Sequence, residues 1–219
     1  MLSMKPYKTV RKIYNNTIRK SLPEKKRTLA GVAVHDTPLF DLSADNPRYK
    51  IGFLMAIHDN ISEGDTVDII GFGRGVSTVH ILRAGAKKVN AYEAASDMIT
   101  LGTDTLKRNV DSNTAKVEIK NAVVGEPVDV YGDYSDADFI SPGELSMSDV
   151  FVLDCEGAET DILSNLGTYP NTIICETHPT KGAPPEAIVD ILEDEYETSI
   201  REHKLSEHPT KIVVGHRKV

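Results

Sequence analysis

Apolar positions along this chain alternate between helical spacing and short continuous runs. Ile51, Leu54, Met55 and His58 fall at i, i+3, i+4 and i+7, which predicts a helix with these side chains on one face. From there onward, strand-like runs alternate with helix-like stretches. This alternation is typical of a parallel sheet covered by helices, so the sequence predicts an α/β fold.

The boundaries of these elements follow from turn residues. Strands are predicted at residues 66–70, 88–92, 117–124, 149–153 and 172–175. The run at 149–153 is continuously apolar after its first residue, the pattern of a strand buried on both faces. The intervening helices are predicted near residues 76–82, 98–109, 162–166 and 184–192.

The carboxyl-terminal part breaks the alternation. Residues 196–202 and 211–217 flank a polar stretch that contains Pro209, which suits an antiparallel pair of strands closing one edge of the sheet. Residues 125–148 carry Gly, Pro, Ser and Asp with little periodicity. We expect a long loop there.

The first fifty residues are predicted to form an extension. Residues 1–27 are a basic arm, and segments 29–34 and 38–42 predict a small hairpin. A solvated helix is our interpretation of the arm, with contact to a membrane or nucleic acid as the alternative. Residues 51–219 are predicted to form one domain, since a chain of 219 residues suits a single core.

Charge and composition restrict the partners. A formal net charge of -8 argues against general affinity for nucleic acid. No run approaches the ~18–20 apolar residues of a membrane span, and the amino terminus lacks the apolar region of a secretory signal. Cys155 and Cys175 lie in apolar runs and are predicted to be buried and unpaired. These features indicate a reducing, cytoplasmic compartment and leave a homodimer open.

The most specific chemical signal is a glycine turn after the first predicted strand. Gly71, Gly73 and Gly75 recur at every second position, and helical spacing follows. In an open α/β sheet such a turn lets the backbone approach a nucleotide-like ligand. Val76 stands where dinucleotide enzymes place a third glycine, and its Cβ would obstruct a pyrophosphate. The spacing therefore fits the methionyl part of S-adenosylmethionine better.

Polar residues at the ends of the next two strands suit the rest of that cofactor. Glu93 ends the second strand, where a carboxylate can accept from both hydroxyls of a ribose. The alternative is a carboxylate favoured at a helix amino terminus. Asn121 and Ala122 end the third strand, where an adenine ring would lie, although a plain turn asparagine is equally plausible.

Carboxylates crowd the end of the fourth strand. Asp154, Glu156 and Glu159 lie within six residues, and such like charges raise one another's pKa unless a cation or hydrogen bonds intervene. The alternative is structural, since Asp154 can cap the next helix and Glu159 can favour its first turn.

Glu176 and His178 follow at the end of the fifth strand. An imidazole there can accept a proton from a substrate hydroxyl, whereas a lone histidine before a proline is more often a surface loop residue. A metal site made from Asp154, Glu156, Glu176 and His178 would suit several divalent ions. The spacing does not establish one, and we predict no metal.

Taken together, these segments resemble the FkbM-type family of S-adenosylmethionine-dependent methyltransferases, over roughly residues 64–217. The most specific are LDCEGAE at 153–159, similar to the family's iDvEGaE, and ETHP at 176–179, similar to its E-x-H-P. AYEA at 91–94 is similar to the family's a-f/y-E-P, with alanine in place of proline. KRN at 107–109 and NAVV at 121–124 resemble further segments.

This resemblance implies a class I methyltransferase fold: a seven-stranded, mostly parallel sheet with helices on both faces and an antiparallel last strand. It also implies methyl transfer to a hydroxyl, and we expect a small molecule or a sugar as the acceptor. The expected catalytic residues are His178, Glu156 and Glu176. The expected cofactor-binding residues are Gly71, Gly73, Gly75, Glu93, Asn121, Ala122 and Asp154.

One position departs from the family pattern. The acidic residue usual two places before the first glycine is Ile69 here, and Asp68 lies one place earlier. Side chains alternate along a strand, so Asp68 should point to the opposite face unless a bulge re-aims it. The methionine amine would then be held by another group.

Three alternatives to a hydroxyl methyltransferase stay open. The chain could be a non-catalytic cofactor-binding subunit, an NAD-dependent oxidoreductase or an RNA methyltransferase. The missing third glycine opposes the oxidoreductase, and the net charge opposes RNA. The identity of the acceptor cannot be read from the motifs.

Overall fold

The computed structural model describes most of the chain. The described residues are 14, 17, 18, 26–35, 45–111, 116–126, 133–202 and 211–218. The predicted basic arm falls mostly outside them, as does the predicted segment 38–42.

Within the described ranges, ten strands form two sheets. They are β1 Lys26–Leu29, β2 Val32–His35, β3 Thr66–Ile70, β4 Lys88–Glu93, β5 Lys116–Val124, β6 Asp138–Ile140, β7 Val150–Leu153, β8 Thr172–Glu176, β9 Tyr196–Glu202 and β10 Lys211–Arg217. β1 and β2 pair as a separate antiparallel hairpin. The other eight form one sheet in the order β6-β5-β4-β3-β7-β8-β10-β9.

Five helices of the described part of the chain cover this sheet. They are α1 Ile51–Asn60, α2 Val76–Arg83, α3 Ser96–Asn109, α4 Glu159–Ser164 and α5 Pro185–Leu192. Two short 3₁₀ turns lie at Pro142–Glu144 and Pro179–Lys181. Among the described helices, none combines the length and the apolar character needed to cross a bilayer.

The sheet confirms the predicted α/β class, and its described part has eight strands instead of the predicted seven. All its neighbouring pairs are parallel except those of β10, which runs antiparallel to both β8 and β9. The eighth strand is β6, which lies inside the segment predicted as a loop. It has three residues and pairs only with β5, so it gives too short an apolar signal to be found by periodicity.

The core lies on both faces of the sheet, which explains the apolar run of β7. Val150 and Val152 pack on the face covered by α1 and α2. Phe151 and Leu153 pack on the opposite face with α4 and α5. Because a strand alternates its side chains, burial on both faces needs an unbroken apolar run.

The structure corrects the predicted buried face of α1. The buried side chains are those of Phe53, Leu54, Ala56 and Ile57, while Met55 is 53% exposed. The helix packs through its 53-to-57 side, since residues three and four apart share a face. The predicted helix is confirmed, but its buried face is rotated by about one residue from the predicted apolar face.

The described hairpin consists of β1 and β2, so residues 29–34 hold its turn and most of its second strand, and the predicted partner segment 38–42 lies outside the described residues. The hairpin packs against the helical layer. Asn109 of α3 accepts from the backbone N–H of Ala33 and donates to its carbonyl, at 2.9 and 2.7 Å. Arg74 donates to the carbonyl of His35 at 2.8 Å, which ties the hairpin to the glycine turn.

Candidate functional site

The three glycines after β3 serve different purposes. Gly71 has φ 93°, and a Cβ there would collide with the carbonyl oxygen of Asp154. Gly73 has φ 51° and would present its Cβ to open space. Both glycines line a cavity of about 300 Å³ at the carboxyl ends of the parallel strands. Glycine at position 71 therefore lets the turn pass close to the loop after β7, and glycine at position 73 leaves the cavity open.

Gly75 does not line that cavity. A Cβ there would lie 2.9 Å from the carbonyl oxygen of Gly102 in α3. The residue is the left-handed cap of α2. It allows α2 and α3 to pack closely, so it supports the turn without facing the ligand space.

Glu93 lies in the cavity wall, as the ribose prediction requires, and it also braces the glycine turn. One carboxylate oxygen accepts from the N–H of Gly73 at 2.7 Å, and the other accepts from the N–H of Ala95 at 2.9 Å. Each oxygen has a second lone pair available for a ligand hydroxyl.

Asn121 is not among the residues that line the cavity, in contrast to its predicted contact with adenine. Its amide donates to the carbonyls of Glu93 and Ala94, at 3.1 and 2.8 Å. It therefore holds the loop that carries Glu93. Ala122, the next residue, lines the cavity, and its contact with adenine stays a prediction.

A lysine that sequence reasoning missed lies between two of the predicted acids. Lys50 precedes α1 with a left-handed backbone, φ 45°. Its Nζ lies 2.6 Å from Asp154 Oδ2 and 2.5 Å from Glu176 Oε2. Asp154 and Lys50 line the cavity, whereas Glu176 is buried behind them.

Lys50, Asp154 and Glu176 shift one another's pKa values. Burial raises the pKa of Asp154 to about 8 against the pull of Lys50, and the charge of Glu176 adds to the rise. Burial opposes ionisation of Glu176 as well, but Lys50 outweighs it and lowers the pKa of that carboxyl. Burial likewise opposes the charge of Lys50, yet the two carboxylates raise its pKa above the ordinary value. An ammonium bridging Asp154 and an ionised Glu176 is the consistent arrangement.

His178 is held by Glu159, one of the crowded carboxylates for which the sequence also offered a structural role at a helix start. The His178 Nδ1 lies 2.6 Å from Glu159 Oε1, and the Glu159 side chain is completely buried. Backbone N–H groups of Cys155 and Gly157 donate to the same carboxylate at 3.2 and 2.8 Å. Since a carboxylate only accepts, we assign the proton to Nδ1, which leaves Nε2 as the free basic nitrogen.

The free nitrogen of His178 points towards the acids. Its Nε2 is 4.0 Å from Asp154 Oδ1. Burial would lower the pKa of His178, but the hydrogen bond and charge of Glu159, with Asp154 and Glu156, raise it above the ordinary value. His178 does not line the cavity itself and lies directly beside the Asp154 wall.

Glu156 lies in the cavity wall with a strained backbone, φ 56°. Lys181 Nζ is 2.6 Å from its Oε2. Burial opposes its ionisation, but this lysine and His178 lower the pKa of Glu156. A non-glycine residue in the left-handed region is costly, and such strain is concentrated at functional sites.

The structure brings three of the four suggested metal ligands together. Ligand atoms of Asp154, Glu176 and His178 lie within 4.8 Å of one another. Lys50 already places a positive charge against both carboxylates. A metal would have to displace that ammonium, so the absence of a metal stays our prediction.

Asp68 does not reach the ligand space, and strand alternation places it on the face opposite to Ile69. It is fully buried and does not line the cavity. Asn90 Nδ2 donates to one of its oxygens at 2.6 Å, and the hydroxyl of Tyr92 lies 3.4 Å from the other. It cannot stand in for the acid missing at Ile69.

Comparisons with known proteins agree on the fold. The chain is 35% identical over 101 residues to protein arginine N-methyltransferase 6 of Xenopus tropicalis, a stretch that is 45% of this chain and only 28% of that relative. No family model matches, so the FkbM-type subtype stays a prediction.

Two solved structures are similar over most of the chain. The ribosomal protein L11 methylase of Lactobacillus delbrueckii subsp. bulgaricus has a TM-score of 0.56 and 14% identity, covering 80% of each chain. The N-methyltransferase NodS of Bradyrhizobium japonicum WM9 has a TM-score of 0.53 and 12% identity, covering 79% of this chain and 98% of that one. With its strand order and single antiparallel strand, the chain has the class I methyltransferase fold.

Proposed function

We propose that this protein is an S-adenosylmethionine-dependent methyltransferase that acts on a hydroxyl of a small molecule or a sugar. The observation that carries the proposal is the Glu159–His178 pair beside Asp154, at the edge of a cavity that begins at a glycine turn. The turn suits a cofactor, and the pair suits removal of a proton. The similarity to the FkbM-type family supports the same activity.

The residues present fit this cofactor on structural grounds. Gly71 and Gly73 open the cavity at a turn where side chains are absent. Glu93 retains acceptor capacity for the ribose hydroxyls, and Ala122 leaves room beside the wall for a flat ring. S-adenosylmethionine, when bound, supplies a sulfonium methyl group that is already activated for transfer.

The protein's part of the reaction is alignment and proton removal. Glu159 fixes the ring of His178 and its tautomer, because the Nδ1 proton is committed to the carboxylate. The free Nε2 then accepts the proton of the acceptor hydroxyl as that oxygen becomes the nucleophile. Glu156 and Asp154, in the adjacent wall, orient the hydroxyl. No covalent intermediate with the protein is needed.

A neutral acceptor fits the charges of the site better than a cationic one. Each of the four carboxylates that follow or end β7 and β8 already has a basic partner within 2.6 Å: Lys50 for Asp154 and Glu176, His178 for Glu159, and Lys181 for Glu156. A guanidinium or ammonium acceptor would have to compete with these partners. A hydroxyl needs only a hydrogen-bond acceptor and a base.

The second candidate is N-methylation of arginine. The stretch of 35% identity to an arginine methyltransferase favours it, although that stretch spans little more than a quarter of the relative. Displacement of Lys50 or Lys181 on binding would then free carboxylates for a guanidinium. RNA methylation and a non-catalytic cofactor-binding role remain as outcomes to be separated.

The test is methyl transfer from labelled S-adenosylmethionine to separate acceptor pools. Hydroxyl-bearing small molecules and sugars, arginine-rich peptides and RNA would each be incubated with the protein, with His178→Ala as the control. We expect label in the hydroxyl pool and loss of it with the control. Label in peptides or RNA would assign those substrates instead, and cofactor binding without transfer to any pool would support the non-catalytic role.

A further inference from the structure

One cation in the cavity wall is not used by the proposed chemistry. Arg74 lies within the glycine turn and lines the cavity beside Gly71 and Gly73. One guanidinium nitrogen donates to the carbonyl of His35 at 2.8 Å, which fixes the end of the side chain. Its Nε is buried and has no hydrogen-bond partner in the described part of the chain.

Arg74 also differs from the other cation of the wall. Lys50 is paired with two carboxylates, whereas Arg74 contacts no carboxylate among the residues that the structure describes. A guanidinium with a buried, unused donor is matched to a carboxylate or phosphate ligand. The cavity therefore offers one positive group that is free to meet an anion.

The amino end of α2 follows Arg74 directly in the chain, although neither its cap nor its first three residues line the cavity. The helix has no side-chain cap and no acidic residue in its first turn. The backbone N–H groups of Val76, Ser77 and Thr78 precede the first intrahelical bond, which runs from Val79 to Gly75. The buried hydroxyl of Thr78 is likewise without a partner among the described residues. The positive end of this helix dipole therefore favours an anion near Arg74 without contacting it.

The missing acid at position 69 makes this arrangement significant. Ile69 is buried in the core, and Asp68 is committed to Asn90 on β4. Neither residue offers charge to the amino-acid end of the cofactor. The one charged side chain of the glycine turn, Arg74, is positive, so it selects the carboxylate of that end rather than its amine.

We propose that Arg74 binds the carboxylate of the methionine part of the cofactor. The inference rests on the proposed function only in its choice of cofactor. The hairpin takes part, because His35 positions the guanidinium. The amino-acid end of the cofactor is thus recognised by a base in the glycine turn instead of by an acid on β3.

The experiment compares two ligands that differ at that end. S-adenosylhomocysteine carries the amino-acid carboxylate, whereas 5′-methylthioadenosine has the same nucleoside and lacks the amino-acid part. Calorimetry of both would be run on the wild type, Arg74→Met and Arg74→Lys. The matched control is Arg83→Met, since Arg83 also donates to the hairpin, to Gly31 at 3.3 Å, but does not line the cavity.

We expect Arg74→Met to weaken S-adenosylhomocysteine by roughly tenfold or more, about 1.4 kcal/mol, with 5′-methylthioadenosine changed by less than about twofold. Arg74→Lys, which keeps the charge but not the planar donor fork, should fall between, and Arg83→Met should match the wild type. Equal weakening of both ligands, or no weakening of either, would overturn the inference and leave the cofactor assignment standing. Failure of the wild type to bind either ligand would overturn the proposed function first, and this inference with it.

Discussion

Replacing Glu159 by glutamine removes the charge that holds His178 while keeping the size of the side chain. The two groups are 2.6 Å apart, and their side chains are 0% and 10% exposed, so solvent screens them little. Opposite charges centred about 4 Å apart interact by roughly 4 kcal/mol at an effective dielectric constant of about 20. A partner of this kind moves a pKa by about 1–3 units, or roughly 1.4–4 kcal/mol.

We therefore expect the pKa of His178 to fall by about 1–3 units in Glu159→Gln. In the wild type the base is free only above its raised pKa, so turnover should rise with pH through a value above the ordinary 6.5. The variant should start its rise at lower pH and reach a lower plateau, because a less basic and less fixed imidazole is a poorer proton acceptor. Asp154, Glu156 and Glu176 also face His178 and remain in place.

The assay pairs an NMR titration of the His178 ring with the pH–rate profile. The titration reads the pKa without relying on activity, and it distinguishes a positioning role for Glu159 from a purely structural one. Stability gives a further check of sign. A histidine whose pKa is raised by folding stabilises the protein below its unfolded pKa, and this gain is lost as pH rises through the folded value. The stability difference between wild type and variant should therefore be largest at pH 6 and smaller at pH 9. An unchanged His178 pKa together with an unchanged profile would refute the reasoning.

Two further changes probe the construction of the site. Lys50→Met leaves Asp154 and Glu176 without their cation, and the loss of one partner from a largely buried group should cost about 3 kcal/mol in urea unfolding. Lys88→Met, which breaks the more exposed contact with Glu118, should cost clearly less, because solvent screens that pair. Equal losses would contradict the role of Lys50. Gly71→Ala and Gly73→Ala both place a side chain in left-handed backbone, at about 1–2 kcal/mol, but only Gly71→Ala meets the Asp154 carbonyl. Thermal unfolding should show a clearly larger loss of stability for Gly71→Ala than for Gly73→Ala. The same loss in both variants would show that close approach to the Asp154 carbonyl is not the reason for a glycine at position 71.

The sequence predicted the sheet well because buried strands leave a strong signal. β7 and β8 are apolar on both faces, so their positions follow from composition over four or five residues. The acids after β7 and β8 were found for a topological reason. The carboxyl ends of neighbouring parallel strands meet at one edge, which brings Asp154, Glu176 and His178 together.

The contacts that the sequence did not predict depend on how distant segments of the chain pack together. Lys50 reaches the acids only because its backbone is left-handed and α1 packs against the sheet, neither of which a lysine before an apolar run indicates. Asn121 has the composition of a ligand contact, yet two nearby carbonyls take its donors. Glu159 suited a helix start, and only the position of His178 reveals its second role. The Glu-x-x-Glu spacing of residues 156–159 was the one sequence signal for this arrangement. In the structure, Glu156 lies in the cavity wall and Glu159 is buried behind it.

The most direct test of the central claim measures cofactor affinity and turnover together in His178→Ala. Calorimetry would give the dissociation constant of S-adenosylhomocysteine, and initial rates with a hydroxyl acceptor would give kcat. If His178 is the base beside the cofactor, kcat should fall by about 10²–10⁴-fold while the dissociation constant changes by less than about threefold. An equal loss of affinity and turnover, or an unchanged kcat, would contradict the account.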